Sequence, residues 1–315
     1  MLLMPSTTYI LCPGQGAQVV GMGKDFYESS PAAKEVFDSA NEVLGFDLAS
    51  ICFNGPEERL NQTDISQPAI YVTSVACCRG AVAAGVIDLD AKTEYAGLSL
   101  GEYTALHLAG VFGFEEGLKL VAARGKSMQE AAIATPSSMV AIMGGDEAGV
   151  TKLCEAQAQG EVLVPANFNA PGQIVVSGSK PACERIAAAA SDAGYKAVPL
   201  VVAGAFHSPI MQSGADKMKT ELEKVEFAPP RATVWSNVTA QPHTDAASIK
   251  KLLVDQIIRP VRWEQTMQQL APTADARFVE LAPGRVLTGL LKKINRRLPV
   301  ETLSSAEALT AQKRA

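Results

Sequence analysis

The sequence predicts an α/β fold with a small domain inserted into a larger one. Residues 134–203 alternate strand and helix in the order β-α-β-β-α-β, the ferredoxin-like pattern. The segments on either side also alternate short apolar runs with helical stretches, which implies layers of helix on sheet. A chain of 315 residues, 47% hydrophobic and 19% charged, buries enough side chains for this plan and is not disordered. The large domain is expected from residues 1–133 and 204–315, and the small one from 134–203.

The elements follow in order. Residues 9–12 form a short apolar strand, broken by Pro13-Gly14-Gln15-Gly16. A dinucleotide fingerprint needs a third glycine where Val19 stands, so this loop serves another purpose. Residues 69–85 read as a helix of small and apolar residues, and Tyr95-Ala96 ends a strand. A helix covers 102–109, and another covers 115–132 with a stripe of Leu118, Val121, Gly125, Met128 and Ala132. In the small domain, strands are expected at 139–143, 162–166, 174–177 and 196–202, with helices at 150–158 and 182–193. Beyond it come a strand at 232–235, a helix at 249–258, a strand at 278–281 and a last helix at 287–297.

Composition excludes several classes. With 28 Lys and Arg against 33 Asp and Glu the net charge is −5, which does not suit a nucleic-acid-binding surface. Cys77 and Cys78 are adjacent, and Cys12, Cys52, Cys154 and Cys183 are scattered. None forms a Cys-x-x-Cys pair, so neither a zinc site nor a disulfide framework is expected, and free thiols suit a reducing compartment. No Lys or Arg precedes Lys24, so the basic start of a targeting peptide is missing. No apolar run is long enough to span a bilayer. A cytoplasmic location without membrane attachment is expected.

Gly97-Leu98-Ser99-Leu100-Gly101, between a strand and a helix, has the form of a nucleophile elbow. The glycines permit a sharp turn, and the serine is presented at the positive end of the following helix. The Leu100 N–H then points where an oxyanion would form. An ordinary glycine-rich turn is the competing reading. Among only three histidines, His107 lies on the elbow helix facing away from Ser99, and His243 lies in a polar turn expected to be exposed. His207, in a loop after the last strand of the small domain, is the candidate base by elimination. Arg124 borders the apolar stripe of its helix, where it either grips a carboxylate or snorkels to solvent. The last helix turns Lys292, Lys293, Arg296 and Arg297 to one face, either as a docking patch for an anionic partner or as a solvated face.

These residues resemble the malonyl-CoA:acyl-carrier-protein transacylases and the related acyltransferase domains of polyketide synthases. The resemblance rests on Pro13-Gly14-Gln15-Gly16-Ala17-Gln18, the elbow with Glu102-Tyr103, Ala123-Arg124-Gly125 and residues 167–173 (Asn-Phe-Asn-Ala-Pro-Gly-Gln). It extends through Phe206-His207, Gln256 near Pro260-Val261-Arg262-Trp263, and Pro283-Gly284-Arg285-Val286-Leu287. It implies an α/β-hydrolase-like large domain with an inserted ferredoxin-like small domain.

The resemblance also implies roles. Ser99 attacks malonyl-CoA, His207 takes its proton, and the N–H groups of Gln15 and Leu100 form the oxyanion hole. The backbone carbonyl of Gln256 orients His207, and Arg124 holds the malonyl carboxylate, with Leu98, Phe206 and Asn167 also on the substrate side. An acidic acyl carrier protein, docking on Lys292, Lys293, Arg296 and Arg297, accepts the acyl group on its phosphopantetheine thiol. No cofactor or metal is implied, and a monomer is expected. Many relatives carry His where Leu98 stands, and Phe206 leaves little room for an α-methyl branch. A serine hydrolase or thioesterase is the alternative enzyme, and a docking domain the non-catalytic one.

Overall fold

The computed structural model describes residues 7–89 and 92–311; the ends of the expected large domain, residues 1–6 and 312–315, lie outside them. The strands in chain order are β1 (Thr7–Cys12), β2 (Thr93–Gly97), β3 (Ser137–Met143), β4 (Leu163–Ala170), β5 (Gln173–Ser179), β6 (Lys196–Pro199), β7 (Thr233–Trp235), β8 (Ala276–Leu281) and β9 (Val300–Leu303). They form two sheets. One is five-stranded and parallel, in the order β7-β2-β1-β8-β9. All six residues of β1, at its centre, are buried, as a parallel strand covered by helices on both faces requires.

The second sheet is antiparallel, in the order β4-β5-β3-β6, with helices Glu147–Ala158 and Lys180–Ala189 between its strands. The β-α-β-β-α-β order is therefore present, and the sheet order is that of a ferredoxin-like unit. It has its own core around Val140, Ile142, Phe168, Ile174, Val176 and Ile186. β4 is tied to the rest of the protein: Phe168 N–H donates to Val261 O and Val261 N–H to Ala166 O, each at 2.9 Å.

Two helices matter most for the site. Thr63–Ala83 is buried along nearly its whole length, and Phe114–Ala134 packs beside it. Gly125 lets them approach, since a Cβ there would lie 2.6 Å from Thr63 O. No helix among the described residues is long and apolar enough to cross a membrane. All six cysteines are free, as their scatter predicts, and all six are buried.

Two expectations are corrected. β6 ends at Pro199 rather than at residue 202. The last basic helix runs only from Val286 to Ile294, because Asn295 leaves helical geometry (φ −142°, ψ 101°) and its side chain accepts the Arg297 N–H. Arg296 and Arg297 thus lie in the following turn and do not share a helix face with Lys292 and Lys293.

Candidate active site

The turn after β2 has little room. A Cβ on Gly97 would lie 1.9 Å from the Gly101 carbonyl carbon, and one on Gly101 would lie 2.0 Å from Cys12 O. Both glycines of the pentapeptide are therefore required. Between them Ser99 adopts φ 52°, and the helix Leu100–Leu108 begins immediately after it. Non-glycine residues in that region are uncommon and cluster where geometry serves function. His207 is another, at φ 58°.

The two strained residues meet. Ser99 Oγ lies 2.9 Å from His207 Nε2, and His207 Nδ1 lies 2.6 Å from the backbone carbonyl of Gln256. A carbonyl only accepts, so Nδ1 carries the hydrogen. Nε2 then presents its lone pair to the serine. Burial first, and then the charge of Arg124, push the His207 pKa down to about 4 against the opposing pull of the Gln256 carbonyl. At neutral pH the imidazole is uncharged and able to take the Ser99 proton. His107 is not involved: it meets the rings of Tyr71 and Phe114 at steep, tilted to edge-on angles and bonds Phe112 O.

Arg124 is 1% exposed and does not snorkel. Its Nη1 donates to Gln67 Oε1 at 2.7 Å, and its Nη2 to Gln256 Oε1 at 2.8 Å and Ser99 Oγ at 3.0 Å. Nε has no partner. Among the described residues no carboxylate lies within ion-pair distance of it. Burial lowers the Arg124 pKa, with Tyr103 and Glu102 opposing, but a guanidinium stays charged in a protein. A buried cation bordering a nucleophile without a counter-ion is a place for an anion.

The loop Pro13-Gly14-Gln15-Gly16 lies against the elbow. A Cβ on Gly14 would lie 2.2 Å from Leu98 O, and Leu98 N–H donates to Cys12 O. The loop thus packs on Leu98, and the Leu100 N–H, in the first helical turn, has no partner within its helix.

Behind the serine lies a polar cluster that composition and spacing did not single out. Glu102, Asn237, Gln256 and His243 are all buried. Asn237 Oδ1 accepts the Ser99 N–H at 2.6 Å, and Glu102 accepts from Gln256 Nε2 at 2.5 Å and from Asn237 N–H at 3.2 Å. The exposed placement expected for His243 is corrected, for its Nε2 lies 2.6 Å from Glu102 Oε1. The loop carrying it folds back on β7, where His243 N–H bonds Val234 O. The available signal was Glu102 itself, the lone acid on a helix whose buried residues include Leu100, Tyr103, Ala105 and Leu106.

A cleft of about 310 Å³ opens beside His207, walled by Glu147, Val164, Phe168, Ile258, Pro260 and Arg262 among others. Leu98, Phe206 and Asn167 are not among its walls. Phe206 is buried, with its carbonyl accepting from Ser177 Oγ. Leu98 is half-buried against the core around Trp263, and Asn167 pairs with Val261 in an isolated bridge. Lys292, Lys293 and Arg296 border a separate open hollow with Pro171; Arg297 is exposed nearby. Among the described residues no group of three or more His, Cys, Asp and Glu side chains is placed to hold a metal ion.

The chain is similar to known proteins over nearly its full length. The acyl transferase domain model matches residues 8–314. The chain is 42% identical over 300 residues to the malonyl CoA-acyl carrier protein transacylase of Salmonella typhimurium, covering 95% of this chain and 96% of that one. It is 40% identical over 301 residues to the enzyme of the same name from Bacillus subtilis, covering 95% and 94%. The solved malonyl CoA-acyl carrier protein transacylase of Coxiella burnetii superposes with a TM-score of 0.94 at 37% identity, over 100% of this chain and 99% of that one. A structure described as a type II polyketide-synthase acyl-carrier protein in complex with its malonyl-transacylase matches with a TM-score of 0.92 at 38% identity, over 98% and 99%. By sequence, by fold and by the extent of the match, the chain belongs to the malonyl CoA-acyl carrier protein transacylase family of acyl transferases.

Proposed function

We propose that the protein moves the malonyl group of malonyl-CoA to the phosphopantetheine thiol of an acyl carrier protein through a malonyl-Ser99 intermediate. The observation that carries this reading is the meeting of three groups at one oxygen: Ser99 Oγ touches both the neutral His207 and the unpaired Arg124 cation. A hydrolase of neutral esters has no use for a buried cation at that position.

In the first half-reaction His207 Nε2 takes the Ser99 proton as Oγ attacks the thioester carbonyl. The N–H groups of Gln15 and Leu100 meet the charge on the carbonyl oxygen, each such donor contributing roughly 3 kcal/mol. Ser99 N–H is unavailable for this purpose, because Asn237 already accepts it. As the tetrahedral intermediate collapses, the C–S bond breaks and the CoA sulfur takes the proton from His207. In the second half-reaction the carrier thiol gives its proton to His207 and attacks the ester, and Ser99 recovers its proton. Transfer between two thioesters is nearly thermoneutral, so catalysis lies in the barrier.

Arg124 pairs with the malonyl carboxylate and thereby rejects acyl groups that would leave it buried and unpaired. Leu98, Phe206 and Asn167, outside the cleft beside His207, are assigned to the acyl side of Ser99, and no cofactor takes part. The exposed Lys292, Lys293, Arg296 and Arg297 form the docking face for the acidic carrier. Residues 1–133 and 204–315 act as the catalytic domain and 134–203 as the small one, in a monomeric cytoplasmic enzyme of fatty-acid synthesis. The relative paired with a polyketide carrier favours polyketide supply as the second reading.

Intact mass after incubation with malonyl-CoA and acetyl-CoA tests the proposal. The malonyl adduct should dominate, be absent from Ser99→Ala, and be discharged by a holo carrier protein. Steady release of free malonate without carrier would assign the protein to the hydrolases instead.

A further inference from the structure

The loop of residues 236–243 grips Glu102 at both its ends. At its start, Asn237 N–H donates to Glu102 Oε2; at its end, His243 Nε2 bonds Glu102 Oε1. The contacts then run outward to the serine along two arms. In one, Asn237 Oδ1 accepts the Ser99 N–H while Asn237 Nδ2 donates to Gly97 O at 2.7 Å. In the other, Gln256 Nε2 divides its hydrogens between Glu102 Oε2 and Ser99 O, the latter at 2.9 Å. The same Gln256 orients His207 through its carbonyl and anchors Arg124 through Oε1.

The geometry points to His243 and Glu102 as positioning residues that hold Ser99 in its strained backbone conformation and fix the amide of Gln256. Neither touches the reacting atoms. Glu102 is the only carboxylate in the cluster, and it reaches the serine and the imidazole only through Gln256 and Asn237, since the Gln256 carbonyl itself takes the His207 Nδ1–H. His243 supplies the hydrogen that holds the carboxylate in register, and it closes the loop that carries Asn237. With His243 removed, Glu102 Oε1 loses its partner in a site with no exposure, and a half-satisfied buried network is free to rearrange.

This inference rests on Ser99 being the nucleophile, and the test separates the two. His243→Gln keeps a donor near the position of Nε2; His243→Leu removes it. For each, three quantities are measured: the rate of Ser99 malonylation at saturating malonyl-CoA, the KM for malonyl-CoA, and the rate at which phenylmethylsulfonyl fluoride modifies the serine. The small neutral sulfonyl fluoride needs Ser99 and His207 but not the acyl-binding cation. In the His243→Leu variant both modification rates should fall tenfold or more while KM stays within twofold. His243→Gln should recover both to within about threefold of the parent. The inference is overturned if His243→Leu leaves both rates unchanged, if KM alone moves, or if His243→Gln is as slow as His243→Leu at equal thermal stability. Should His243→Leu fail to fold, Glu102→Gln takes its place in the same three measurements, with the same losses expected and unchanged rates again fatal. If the parent enzyme acquires no label on Ser99, it is the nucleophile assignment that fails.

Discussion

Arg124 Nη2 stands 3.0 Å from Ser99 Oγ, with no carboxylate at ion-pair distance from the guanidinium among the described residues. The acyl group attached to that oxygen therefore grows directly past a buried positive charge. A three-carbon diacid brings its own counter-ion; an acetyl group does not.

Arg124→Ala is expected to lower kcat/KM for malonyl-CoA by roughly 30- to 1000-fold, the usual cost of about 2–4 kcal/mol for losing one partner of a buried charged pair. Acetyl-CoA should lose far less, so selectivity collapses. Parallel labelling with the two thioesters measures this, and a retained preference for malonyl would remove Arg124 from substrate recognition.

Malonylation of Ser99 should rise with pH through a midpoint near 4 and stay flat above about pH 6. Protonated His207 cannot accept the serine proton, and burial pushes its pKa down to about 4. A single-turnover pH profile with its midpoint near 6.5 would show that the imidazole is not held in a dry site.

Stability should fall on acidification from about pH 6.5 to pH 4. His207 and His107 are both pushed down to about 4 in the folded protein, each by burial first. In that window the unfolded chain binds more protons than the folded one, so unfolding free energy rises with pH and the loss is complete below pH 4. Each histidine contributes about 3 kcal/mol on this scale. Denaturant titrations at several pH values should show the slope, and His107→Gln should roughly halve it.

Gly101→Ala should cost about 3 kcal/mol or more, because its Cβ would lie 2.0 Å from Cys12 O, a backbone atom that cannot swing aside. Thermal melting would report it. A variant that melts like the parent would show that β1 and the elbow can separate.

Replacing Lys292 and Lys293 with Glu should raise the KM for the carrier protein severalfold and leave that for malonyl-CoA unchanged, with the effect shrinking as salt is added. Equal changes in both constants would count against a docking role.

Local chemistry made much of this legible. Ser99 declares itself because its flanking glycines answer a steric need, and the small sheet because its strand order is written in the chain. Arg124 was located but its environment was not. Whether a cation at the edge of an apolar stripe snorkels depends on what packs above it, here Gln67 and Gln256 from elsewhere in the chain. His243 was misplaced for the same reason. A polar turn looks exposed until another element, the helix of Glu102, is laid against it. The helix of Lys292 and Lys293 ends early because the Asn295 side chain accepts the N–H of Arg297, two residues on, which competes with one more helical turn.

The tie between β4 and Val261 also bears on how this protein behaves in crowded solution. An outer strand of a sheet ordinarily offers unsatisfied amides to any passing chain. Here one rim is partly occupied by the molecule's own backbone, and the opposite rim is a four-residue strand bearing the exposed Lys196 and Pro199. Neither rim is a long, flat template on which a neighbouring copy could add a strand, so the ferredoxin-like unit is guarded against edge-to-edge aggregation.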